Sequence, residues 1–352
     1  MTVDRHALLD DIPSKPLYPP SWIDRMGIWI EGLPGPTWLA YLVCFLGFAL
    51  LMNVVFWIDG SAQLGSFDPY ITTYAVLAVY WPALYHYLTR VAGRSLHAFR
   101  PLLNASDAHF LATEYELKTL PSREGWLTIP LGLGLAIVQA LGDPGSFGSL
   151  VPKTILPSLG DVVITTFIAT TFLCLLIRSI RQLRMVNRLH ASAMNINLLE
   201  LDPARSFSML TARTGIGVIL LVVVSYAYDP LAFGSAASVG LSTAVVIAAI
   251  AIFVVPMMGL QNRIEHEKDR ALRQIHGLLR SAEDRLHDRI KSDSYESMAE
   301  LDHALQALAR ERDLIKAVPT WPWNPRTLRG FGSALLLPIF LWLVTRILER
   351  LF

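Results

Sequence analysis

The sequence predicts an all-α, polytopic helical membrane protein. It has about seven transmembrane helices, arranged as three tandem hairpins plus one, and a cytoplasmic antiparallel helical hairpin. Three observations predict it. Of 352 residues, 53% are hydrophobic and only 17% charged, against about 25% charged in soluble domains, and mean hydropathy is +0.42. Apolar runs recur at bilayer length. Basic residues crowd every second connection between them.

Residues 1–36 read as a cytoplasmic segment of mixed charge with Pro16, Pro19 and Pro20, and without the pattern of a cleaved secretory leader. Six runs long enough to span follow near 37–58, 70–90, 126–142, 159–178, 213–229 and 235–259, the third short and completed by Leu120 or its flanking glycines, forming a membrane bundle over 37–259. A seventh, 330–346, lies in the C-terminal membrane helix 330–352 and ends at Arg346, whose long stem lets the charge reach the interface. Residues 59–69 and 229–235 contain no Lys or Arg, and 143–158 only Lys153. The alternate connections carry Arg90, Arg94, Arg100, Lys118 and Arg123, then Arg178 through Arg213, then the basic residues of 260–329. The expected location is therefore the plasma (inner) membrane, multi-pass, with a cytoplasmic N-terminus.

The outer turns resemble one another. Asp143–Ser149 reads DPGSFGS and Asp229–Ser235 reads DPLAFGS, while Asp59 ends the first span with Gly65-Ser66 after it. The inner returns also match: Pro121-Ser122-Arg123, Pro203-Ala204-Arg205 and Pro325-Arg326 precede the third, fifth and seventh spans. Proline suits a first helical turn. Duplication of a hairpin explains the pattern. Ordinary turn preference for Asp-Pro and Gly-Ser explains it too. If the turns gather on one outer face, Asp59, Asp143 and Asp229 are candidates for an acidic cation vestibule; otherwise they are turn and capping residues.

Past the fourth span, Arg178, Arg181, Arg184 and Arg188 fall within an arc of about 120° on a helical wheel. They are candidates for contact with anionic lipid, or else solvated arginines of a positive-inside anchor. Residues 260–317 form the expected cytoplasmic hairpin. Ile264, Ala271, Ile275, Leu279, Ala282 and Leu286 make one apolar stripe; Met298, Leu301, Leu305, Leu308 and Ile315 make another. Narrow paired stripes of this kind specify a helix–helix seam. Residues 318–329, with Pro319, Pro322, Pro325, Trp321 and Trp323, read as a stiff interfacial elbow.

Recognisable chemistry is sparse. No phosphate loop, dinucleotide fingerprint or zincin helix occurs, so neither a cofactor nor nucleic acid is expected. His276, Glu283 and His287 read as a solvated helix face, not a metal site. Cys44 and Cys174 lie inside apolar runs and read as packing residues. Small-residue stripes at i+4 spacing, Gly132/Ala136/Ala140, Thr166/Thr170/Cys174 and Ala236/Gly240/Ala244/Ala248, read as close helix contacts. Tyr74, Tyr80, Tyr85, His86 and Tyr87 make the second span aromatic, which interface or core packing explains. No midplane ionisable group is evident, which disfavours coupled transport. The function expected is a non-enzymatic sensory, scaffolding or assembly component acting through its cytoplasmic hairpin. The alternative is an ion channel or passive transporter with an acidic outer vestibule. Expected partners are the bilayer, anionic lipid, and a second copy or a cytoplasmic helical partner.

Overall fold

The structure, a computed structural model, describes residues 17–103, 105–142, 152–192, 201–203, 205–228, 236–291, 298–321, 323 and 325–351. The repeated heptads with Asp143 and Asp229 lie outside the described residues, as do residues 292–297. Among the described residues the regular structure is helical: α1 (Trp22–Glu31), α2 (Thr37–Asp59), α3 (Pro69–Phe99), α4 (Asp107–Lys118), α5 (Ser122–Gly142), α6 (Leu156–Ser192), α7 (Ser206–Tyr228), α8 (Ala236–Lys291), α9 (Met298–Ala317) and α10 (Pro325–Leu351). Thr37–Asp59, Ser122–Leu141 and Leu156–Leu189 are long and apolar enough to cross a membrane.

Packing centres on α3, α6, α7 and α8, with α5 against α6, α2 against α3 and α10 against α7. Tyr85, Leu88 and Leu96 of α3, Cys174 and Val186 of α6, Phe207 and Ile219 of α7, and Phe253 and Met257 of α8 share one buried cluster. A smaller cluster of Met52, Phe56, Ile71 and Ile164 closes the opposite end of α2, α3 and α6. The small-residue stripes of the third and fourth runs meet. A Cβ on Gly132 would lie 2.9 Å from Thr170 N and 3.0 Å from Thr166 O, so α5 touches α6 backbone to backbone. Side chains of the 236–244 stripe lie outside the described residues.

Two helices are absent from the pattern of apolar runs. Ser21 caps α1 and Asp24 returns the bond, a reciprocal box that starts a helix of only ten residues. Its Ile23 and Ile30 are buried while Ile28 and Trp29 are exposed. Such a helix is far too short for a hydropathy window. The second, α4, is capped by Ser106 and buries only Phe110 and Leu117. The strand-like contact Ser21 N–H to Leu120 O (2.9 Å) and Ser122 N–H to Pro19 O (2.9 Å) fastens the approach to α1 onto the start of α5.

α8 is continuous across 259/260, where the membrane bundle and the cytoplasmic hairpin are expected to meet. It runs on for 56 residues, roughly 84 Å at about 1.5 Å per residue. Beyond Ile264, α9 packs beside it, and Lys268 Nζ donates to Lys316 O (2.8 Å) and Val318 O (2.7 Å), holding the end of α9 on α8. The stripe positions are the covered ones: Ile275 and Ile315 are buried, and Leu279, Leu286, Leu301, Leu305 and Leu308 are half-buried among exposed neighbours. Leu279→Asp and Leu305→Asp are each expected to destabilise the pair by about 1–3 kcal/mol, since each puts a carboxylate in the seam. Leu314→Asp, at a 62% exposed position, should be silent. Equal thermal melts of the full-length variants would remove the seam.

The elbow also differs in part from its sequence reading. Trp321 is exposed, but Trp323 is 4% exposed and packs on Phe253 with ring centroids 5.0 Å apart. Arg205 Nη2 donates to Pro319 O and Trp321 O (3.1 Å each), tying the elbow to the start of α7.

Candidate functional site

The densest polar chemistry lies where α1, α3, α5 and α6 converge. Each member follows from its local register. Asp24 is the third residue of α1, placed there by the Ser21 cap. Its Oδ2 accepts from Ser21 N (3.2 Å), Ser21 Oγ (2.5 Å) and Leu120 N (3.0 Å), and its Oδ1 from Tyr85 Oη (2.8 Å). Tyr85 in turn presents its ring to Arg178, whose guanidinium carbon sits 4.2 Å from the ring centroid. Arg178 Nη1 donates to Tyr85 O (3.1 Å) and Thr89 Oγ1 (2.5 Å). Its Nε and Nη2 are buried with no hydrogen-bond acceptor among the described residues, so the aromatic face is the main compensation for that side of the cation.

This places the four arginines of the basic face very differently. Arg178 is 2% exposed, enclosed by protein, and reaches neither lipid nor water. Arg181 is half-buried and donates to Glu124 Oε1 (2.6 Å) with Tyr18 beneath it. Of the four, Arg184 and Arg188 are the exposed ones. The wheel gives one arc for all four, but Arg178 packs against Tyr85 and Thr89 of α3 and Arg181 against Glu124 of α5.

Beside the buried network runs a second chain. Glu31 ends α1 and accepts from His86 Nε2 (2.7 Å) and Arg90 Nε (3.1 Å). A carboxylate can only accept, so Nε2 carries hydrogen, and in the neutral ring Nδ1 accepts from Tyr41 Oη at 3.0 Å. The His86 hydrogen bond, with help from Arg90, outweighs burial and holds the Glu31 carboxyl down at about 2. The folded value is depressed, so the contribution of Glu31 is complete above its ordinary value of about 4.3 and is lost as pH falls through about 2. Acidification from pH 5 to pH 2.5 should therefore loosen α1, read as a shift of tryptophan emission that Glu31→Gln reduces. The same shift in both proteins would assign the effect to another group.

Among the vestibule candidates, Asp59 is the one described. It is 7% exposed and accepts from Lys153 N (2.8 Å), Thr154 N (2.7 Å) and the Thr154 hydroxyl, while Lys153 Nζ donates to Gly60 O. Its carboxylate joins the end of α2 to the approach to α6. Gly60, at φ 71°, makes the left-handed turn this tie requires. No group of three or more potential metal-ligating His, Cys, Asp or Glu side chains occurs among the described residues.

Comparison with known protein families, curated proteins and solved structures gives no match. The buried network escaped the sequence reading because Asp24 lies in a helix of only ten residues and Arg178 among other arginines. The usable signal was the Ser-x-x-Asp box from Ser21 to Asp24, with an aromatic span to receive it.

Proposed function

We propose that the protein is a multi-pass component of the plasma (inner) membrane, N-terminus cytoplasmic, with seven spans as three tandem hairpins plus α10. It acts without catalysis, in sensing, scaffolding or assembly, and the α8–α9 pair is its cytoplasmic output. The observation that carries this reading is the continuity of α8. Ala249, Phe253, Met257, Leu260 and Ile264 are built into the buried core, and the same helix continues without interruption to Lys291 beside α9. A displacement within the bundle is delivered along a stiff helix to the far end of the pair. A protein made only to fill a membrane has no use for that extension.

The buried network supports this by making the rest of the bundle a rigid frame. Asp24, Tyr85 and Arg178 bind α1, α3 and α6 to one another, so α8 moves against something fixed. The channel reading draws no support from Asp59, whose oxygens are occupied by backbone and hydroxyl donors.

The test uses the full chain with a proximity-labelling tag placed in 292–297. Labelling of a reproducible set of cytoplasmic proteins is expected, lost in Leu279→Asp while membrane insertion persists. Equal labelling by both, or cation flux from reconstituted vesicles that falls with salt screening, overturns the reading. Topology is checked in parallel: cysteines near Gln63 should react from outside and those near Asp107 and Ser292 only after permeabilisation. Reaction of Ser292→Cys from outside in intact cells inverts the scheme.

A further inference from the structure

Tyr85 and Tyr87 stand two residues apart on α3 and face different sides of it. Tyr85 turns inward onto Arg178. Tyr87 is 45% exposed and lies 5.4 Å from the guanidinium of Arg213, near the start of α7. At one level of the bundle, then, one arginine is sealed inside and another is half-buried at the mouth of a cleft. No carboxylate among the described residues forms an ion pair with Arg213.

From Arg213 an open cleft of about 330 Å³ runs between α3 and α7. Ala83, Leu84, Ile216 and Leu220 make its walls, so it is apolar along its length. It is also preformed. Tyr80 Oη donates to Gly217 O (2.5 Å), and a Cβ on Gly217 would come within 2.7 Å of Leu84, so the two helices are already in close contact there. Arg213 and Tyr87 mark one end; Tyr80 and Leu220, about two turns along each helix, mark the other. Cation first and carbon behind it is the order of a phospholipid, with phosphate at the interface and acyl chain below.

We propose that this cleft binds one anionic phospholipid, its phosphate on Arg213 and an acyl chain along Ala83, Ile216 and Leu220, a reading that rests on the bundle spanning a bilayer. Tyr87 holds the guanidinium by its ring face and leaves the N–H edge free for the phosphate. The exposed Arg184 and Arg188 attract an anionic surface only in general; Arg213 does so at the mouth of a fitted groove.

The experiment is native mass spectrometry of the full-length protein in detergent, titrated with phosphatidylglycerol or phosphatidylcholine. Phosphatidylglycerol should be retained roughly fivefold better, the advantage one basic residue gives at an anionic headgroup. Arg213→Gln should erase that preference, Arg213→Lys should keep most of it, and Arg184→Gln should leave it intact. Ile216→Trp, which fills the cleft, should weaken both lipids. Lipid-free melting temperatures equal to the parent's establish that each variant is folded. Parent-like retention by Arg213→Gln or by Ile216→Trp overturns the proposal, as does an equal loss in Arg184→Gln. Alkaline extraction of native membranes tests the spanning reading separately: release of the protein into the soluble fraction sinks that reading, whatever the titration gives.

Discussion

Replacing Gly132 by leucine is expected to be the most damaging single change in the helical bundle. Even a first side-chain carbon there meets the backbone of α6, 2.9 Å from Thr170 N and 3.0 Å from Thr166 O. Backbone atoms of a helix do not turn aside as a side chain does, so α5 must move away bodily. The displacement breaks the seam between Gly132, Ala136 and the Thr166–Thr170 face, and pulls Thr128 Oγ1 from Cys174 Sγ, now 3.2 Å away. Overpacking alone costs about 1–3 kcal/mol, and loss of the helix contact adds to it. The expected result is failure to accumulate, or a melting temperature lower by ten degrees or more in detergent. Gly134 is the control. Nothing lies within 4 Å of a Cβ there, so Gly134→Ala should be neutral or stabilise by up to about 1 kcal/mol through helix propensity. If Gly132→Leu melts with the parent, the close α5–α6 contact does not exist.

Asp24→Ala should be nearly as costly. Leu120 N–H and the Tyr85 hydroxyl would lose their acceptor inside the core, and Ser21 would lose its reciprocal bond. Removing one member of a buried charged, hydrogen-bonded set typically costs about 3–5 kcal/mol. Tyr85→Phe leaves Asp24 Oδ1 without its donor and should cost about 1–3 kcal/mol, less than Asp24→Ala, because one bond is lost and the ring stays over Arg178. Arg178→Met replaces the cation with a side chain of similar length and removes two buried nitrogens that have no acceptor. It should therefore be tolerated far better than Asp24→Ala. That ordering, measured as thermal unfolding of the full-length protein, separates a structural frame from a simple packing contact. An Arg178→Met protein less stable than Asp24→Ala would reverse the assignment of which residue holds the network together.

Sequence alone carried the all-helical class and the apolar runs at 37–58, 126–142 and 159–178, because bilayer-length hydrophobicity is a property of composition in a window and needs no neighbour. It also carried the α8–α9 stripes, because a residue's place on a helix face is set by its number. The small-residue seam between α5 and α6 was legible for the same reason, and the structure supplied which stripe met which. The cap and register of α1 were written in Ser21 and Asp24, but a ten-residue helix becomes stable only against α3 and α5.

Tertiary structure decided the fate of identical residue types. Arg178, Arg181, Arg184 and Arg188 share an arc, yet Arg178 is enclosed and Arg188 exposed, because burial depends on which helices lie alongside and not on the wheel. Asp59 read either as a vestibule charge or as a turn and capping residue, and the approach to α6 brings the N–H groups of Lys153 and Thr154 onto it. Tyr85 and Tyr87 differ by two positions and by nothing else in the sequence. Packing of α6 on one side of α3, and an open cleft beside α7 on the other, gave the first a structural partner and left the second at the surface.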